Sequence, residues 1–113
     1  MCDDGIQSDG SPSHGVGSTA FLERNVEPAS SMLAIMANRK RLEILAILLD
    51  EELTVSALAA KVSLSHSSLS QHLSKLRRHD LVSARPDRQM VYYTSQSTTV
   101  RALLAALSDV LTR

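Results

Sequence analysis

The chain has 113 residues, which suits one small domain with a short tail. Hydrophobic residues make up 43% and aromatics only 3%, so the core must be aliphatic, and that favours helices over a β-sandwich. The formal net charge of zero hides an asymmetry: residues 1–27 hold five acidic residues against Arg24 alone, while residues 28–113 hold eleven basic residues against seven acidic ones.

A mildly basic body behind an acidic lead-in is compatible with nucleic-acid binding. The single cysteine, Cys2, excludes an internal disulfide and a multi-thiolate metal site. No apolar run reaches membrane-spanning length and no signal peptide is visible, so the expectation is a cytoplasmic protein with no membrane partner.

Residues 1–20 are rich in Gly, Ser, Asp and Pro, show no periodic apolar face and read as a disordered tail. Residues 21–113 read as the folded domain. A first helix is expected over residues 25–37, with Pro28 in its first turn and Val26, Ala29, Met32, Leu33 and Met36 as its apolar stripe. Asn38 is a break and an N-cap. A second helix follows over RKRLEILAILLDEE, buried through Leu42, Ile44, Leu45, Leu48 and Leu49. Arg39, Lys40 and Arg41 crowd its start, where positive charge opposes the helix dipole, and are expected to be solvated.

Thr54 caps a short third helix, VSALAAKV, and Ser65 caps a fourth running to about His79. In that fourth helix Leu69, Leu73 and Leu76 are spaced i, i+4, i+7 and fall on one stripe. His66, Ser67, Ser70, Gln71 and Ser74 fall on a separate arc that lacks acidic residues. A short helix, a tight turn and a long polar-faced helix form a helix-turn-helix. Residues 81–95 alternate as a β-hairpin, with a turn expected at Pro86-Asp87 and a tip carrying Arg85, Arg88 and Gln89. A last helix over residues 98–112 has more apolar surface than docking on a small domain requires, and a partner helix from a second copy is expected to cover it. The order α-α-α-α-β-β-α is a dimeric winged helix-turn-helix, mainly α with a small β-hairpin.

The chemistry of the fourth helix suits DNA. Gln71 can pair with adenine N6 and N7, and first-turn residues of such helices usually meet base edges. The expected base-reading set is His66, Ser67, Ser70 and Gln71. The expected phosphate and wing set is Ser65, Ser68, Lys75, Arg77, Arg88 and Gln89, with Arg78 as a further clamp. Tyr92 and Tyr93 alternate faces, one toward the core and one free to offer its hydroxyl to a phosphate. The bland alternative for each is a solvated polar face. His72, His79 and Asp80 suggest a metal site, but no Cys or further His completes a tetrahedral set. Serine–histidine neighbours lack an oxyanion hole and point apart on a helix, so no enzyme is expected.

The stretches ANRKRLEIL (37–45), LTVSALAAKVSLSHSSLSQHLSKLR (53–77), LV (81–82) and DRQMVYYT (87–94) resemble the ArsR/SmtB family of bacterial repressors. Arg39 departs from the proline that the family often has there. The resemblance implies a homodimer formed by the first and last helices, through Met32, Leu33, Met36, Leu103, Leu104, Leu107 and Leu111. It also implies double-stranded operator DNA as partner and repression as outcome. The family's cysteine-rich third-helix metal motif is replaced by Thr54-Val55-Ser56, and hydroxyls are poor ligands for thiophilic metals. The last helix offers only Asp109 toward the family's second metal site. The expectation is therefore a member without metal or other cofactor. The rival from another class is a helical protein–protein interaction module that uses the same scaffold without reading DNA.

Overall fold

The computed structural model describes residues 17–113. Cys2, His14 and most of the expected tail lie outside the described residues. The elements in chain order are α1 (Ser18–Met36), α2 (Arg39–Asp50), β1 (Leu53–Thr54), α3 (Val55–Val62), α4 (His66–Arg78), β2 (Ser83–Asp87), β3 (Met90–Thr94) and α5 (Thr98–Leu111). The chain divides into two units, one ending at Ala34 and one spanning residues 35–113.

In the first unit α1 begins at Ser18, well ahead of the expected start at Asn25, and carries Pro28 in its interior. The fixed φ of proline is helical, but in a helix interior the ring removes one N–H from the hydrogen-bond ladder and crowds the carbonyl four residues back, here that of Arg24, so Pro28 is a weak point of α1. Pro28 thus stands in the middle of α1 and not in its first turn, where its composition signal points.

The second unit holds the core. Ile44, Leu45 and Leu48 of α2, Leu58, Ala59 and Val62 of α3, and Leu69, Leu73 and Leu76 of α4 are buried together with Leu81, Val82 and Val100. Each fully buried leucine stabilises the fold by about 1.5–3 kcal/mol relative to exposure. The expected caps are present. Asn38 accepts from Arg41 N, Thr54 from Ala57 N and Ser65 from Ser68 N, at 3.0, 3.2 and 3.1 Å. Ser63 closes α3 in the left-handed conformation at φ 57°, and the N–H of Leu64 returns to Ala59 O at 3.1 Å. This makes the tight turn between α3 and α4.

Two features of the sheet differ from expectation. It has three strands, ordered β1-β3-β2, with Leu53 opposite Tyr93 and Thr54 opposite Tyr92. Two residues are too short to carry a readable alternation, and Thr54 also caps α3. The hairpin turn lies at Arg88-Gln89, because Pro86 pairs with Val91 and Asp87 with Met90 within the strands. Proline is tolerated there because β2 is an edge strand. Ser95, buried, is satisfied by its Oγ donating to Leu81 O at 2.7 Å and its N–H donating to Leu48 O at 2.9 Å.

Candidate nucleic-acid interface

α4 is anchored by one stripe: Leu69, Leu73 and Leu76 are 0%, 1% and 0% exposed. At about 100° per residue, Ser67, Gln71 and Arg78 then point directly away from the core. All three are exposed, as are His66, Ser70, Ser74, Lys75 and Arg77. Ser65 sets the start of the helix, and its Oγ lies 3.3 Å from that of Ser67. Lys75, Arg77 and Arg78 occupy the last turn, where positive charge complements the helix dipole. Neither Arg77 nor Arg78 makes an ion pair among the described residues.

One flank of α4 faces the sheet. Ser70, Ser74, Arg77 and Arg78 line an open cleft of about 370 Å³ with Tyr93 of β3. Tyr93 is thus the tyrosine turned toward α4. Tyr92 lies instead beneath Arg85, whose guanidinium carbon is 4.9 Å from the ring centroid.

The opposite flank faces α2. His72 is half-buried and accepts at Nδ1 from Arg41 Nε, 3.2 Å away, while Arg41 also donates to Ile35 O at 2.9 Å. Burial pushes the His72 pKa down, and the nearby charges of Arg41 and Lys75 add to the shift. His79 lies at 3.0 Å from Lys75 O. His72 and His79 thus serve separate local contacts. The solvated cluster expected at the start of α2 holds for Arg39, whose side chain is 90% exposed, and is corrected for Lys40 and Arg41. Arg39 and Lys40 both reach Glu43, Lys40 donates to Val62 O at 2.6 Å, and Arg41 turns inward. Glu43, one turn on, was the available signal; His72, distant in sequence, gave none.

The wing is braced from its base. Arg85 Nε and Nη2 grip the Glu52 carboxylate at 3.0 and 2.8 Å, with Asp87 3.7 Å from Nη1. The hydrogen bond from Arg85 holds the Glu52 pKa below its ordinary value, and the same bond raises that of Arg85. Arg85 therefore sits on the strand, tied to the loop before β1, and not at the tip. The tip is Arg88 and Gln89, both exposed, with Arg88 at φ 61°.

The residues assigned to a second-copy interface have mixed positions. Met36 is buried within its own chain, while Met32, Leu103 and Leu104 are half-buried. Leu33, Leu107 and Leu111 are exposed at 59%, 45% and 79%.

No helix among the described residues is long and apolar enough to cross a membrane.

This geometry has close counterparts. The pattern of "bacterial regulatory protein, arsR family" matches residues 38–84. The nodulation protein NolR of Rhizobium meliloti is 56% identical over 86 residues, covering 76% of this chain and 70% of that one. The crystal structure of NolR from Sinorhizobium fredii superposes with a TM-score of 0.76 at 48% identity, covering 87% of this chain and 96% of that one. The transcriptional activator HlyU of Vibrio cholerae is 48% identical over 86 residues, covering 76% and 80%. A homodimeric winged helix-turn-helix DNA-binding domain from Mycobacterium bovis, described as a possible ArsR-family regulator, superposes with a TM-score of 0.70 at 25% identity, covering 88% and 90%. With a capped, leucine-anchored α4, a braced wing and these relatives, the chain belongs to the ArsR family and is a winged helix-turn-helix DNA-binding regulator of transcription, not an enzyme.

Proposed function

We propose that this protein represses transcription by occupying an inverted-repeat operator as a homodimer, in the cytoplasm where the nucleoid lies. The observation that carries the reading is α4 itself, fixed to the core by three buried leucines and polar and exposed on the other side. In this reading His66, Ser67, Ser70 and Gln71 meet base edges in the major groove. Ser65, Ser68, Lys75, Arg77 and the wing tip Arg88-Gln89 meet the backbone and fix the register.

Dimerisation is supported by apolar side chains left exposed on two helices, Phe21, Leu22, Val26 and Leu33 on α1 and Leu107, Val110 and Leu111 on α5. A second copy would cover such faces, and two-fold symmetry then requires half-sites about 34 Å apart. The homodimeric relative from Mycobacterium bovis supports the same arrangement. Repression follows where an occupied operator overlaps a promoter. The name of the HlyU relative, an activator, makes the direction a point to test.

Selection of bound duplexes from a random DNA pool tests the reading. It should enrich an inverted repeat with half-sites one turn apart, and light scattering of the complex should give two chains per site. A reporter whose promoter carries the enriched site should fall on expression of the protein. Absence of enrichment would refute DNA reading, a single chain per full site would refute the dimer and favour an interaction module, and a rising reporter would refute repression.

A further inference from the structure

We infer that the cleft between α4 and β3 is a seat for one phosphodiester of the DNA backbone, with Arg77 as its charge and the hydroxyls of Ser70, Ser74 and Tyr93 as further donors. This rests on the DNA-binding reading above and moves Ser70 out of the base-reading group. Ser70 and Arg77, seven residues apart, share the flank of α4 that faces the sheet, whereas Gln71 points directly outward. Ser74 lies between the two directions.

The lining suits an oxyanion. Ser70, Ser74, Arg77, Arg78 and Tyr93 offer two guanidiniums and three hydroxyls, with no carboxylate. Two acidic groups at the wing and its base are engaged elsewhere, Glu52 and Asp87 both on Arg85. The two arginines have no acidic partner among the described residues. Two elements contribute to this open cleft, and planar guanidinium geometry favours paired contacts to phosphate oxygens. An open cleft beside the outward face of a reading helix is where a backbone would run when that helix lies in the major groove. A phosphate held there fixes how deeply α4 sits and carries no sequence information.

The test is equilibrium binding to two duplexes, the one enriched by selection and one of random sequence, across a salt series. Arg77→Gln should lower the slope of log affinity against log salt by about one on both duplexes, and Arg77→Lys should restore it. Ser70→Ala and Tyr93→Phe should each weaken both duplexes by the same factor, about two- to ten-fold, leaving their ratio unchanged. Inorganic phosphate titrated into the free protein should shift the amide signals of Ser70 and Ser74 at millimolar concentration in the wild type and not in Arg77→Gln. Melting temperatures within a degree or two of wild type establish that each variant folds, and the Arg77→Lys comparison holds within one scaffold. If Ser70→Ala weakens only the enriched duplex, Ser70 reads a base and the inference fails. If Arg77→Gln leaves the salt slope intact, the cleft holds no phosphate and the inference fails while the DNA-binding reading stands. If the wild type binds neither duplex, both fail.

Discussion

The wing tip separates stability from function at one residue. Arg88 occupies the first position of a two-residue turn between Asp87 and Met90 at φ 61°, a conformation that disfavours any residue with a Cβ. For an L-residue the left-handed region costs about 1–2 kcal/mol. Glycine removes that strain but loses about 0.5–1 kcal/mol more backbone entropy on folding. The net expectation for Arg88→Gly is a gain of about 0.5–1 kcal/mol. For a folded unit of this size that raises the melting temperature by about 2–8 °C. The same change removes a guanidinium from the proposed DNA surface, so affinity should fall and the salt slope should drop by about one. Arg88→Asn is the control, since asparagine tolerates the left-handed region and carries no charge. It should match Arg88→Gly in binding with little change in stability. Thermal melts and a salt series on each variant give both quantities. A lower melting temperature for Arg88→Gly would refute the turn geometry, and an unchanged salt slope would refute contact between the tip and DNA.

Leu73→Ala, at a position 1% exposed, should cost about 2–5 kcal/mol in urea unfolding and loosen α4 with it; a loss under 1 kcal/mol would contradict the anchoring stripe. Ser65→Ala should destabilise by about 1 kcal/mol through the lost cap. Ser65→Asp should retain the cap and the stability yet weaken DNA binding, because a carboxylate then faces phosphate; binding equal to wild type would place the start of α4 away from the backbone. The depressed His72 pKa means that the folded state binds fewer protons at this site than the unfolded chain does. Stability from this site is therefore complete above pH 6.5 and lost as pH falls below it. His72→Gln should reduce the drop in melting temperature between pH 7.5 and pH 5.5, and an identical drop would remove His72 as its source.

Local signals carried most of the fold. Asn38, Thr54 and Ser65 are caps whose mechanism acts within three residues, so each could be located from sequence with the helix it starts. The Leu69-Leu73-Leu76 stripe was legible for the same reason, and it fixed the face of α4 that remains exposed. Long-range features were not legible. β1 is two residues long and exists only because Tyr92 and Tyr93 lie beside it. Arg85 reads as a tip residue from sequence because nothing local announces Glu52, thirty-three positions away, as its partner. Pro86-Asp87 has the composition of a turn, yet the register puts both residues in an edge strand and gives the turn to a strained arginine. The division of the α4 face into an outward part and a cleft-facing flank also needed Tyr93 in place.

The central claim is that the outward face of α4 reads base edges, and Gln71 tests it most directly. Affinities of wild type and Gln71→Ala for the enriched and random duplexes give the discrimination of each protein. The account predicts that Gln71→Ala loses about 1–3 kcal/mol of discrimination, roughly five- to 150-fold, while its affinity for random DNA and its melting temperature stay close to wild type. An equal loss on both duplexes would make Gln71 a backbone contact and contradict the claim.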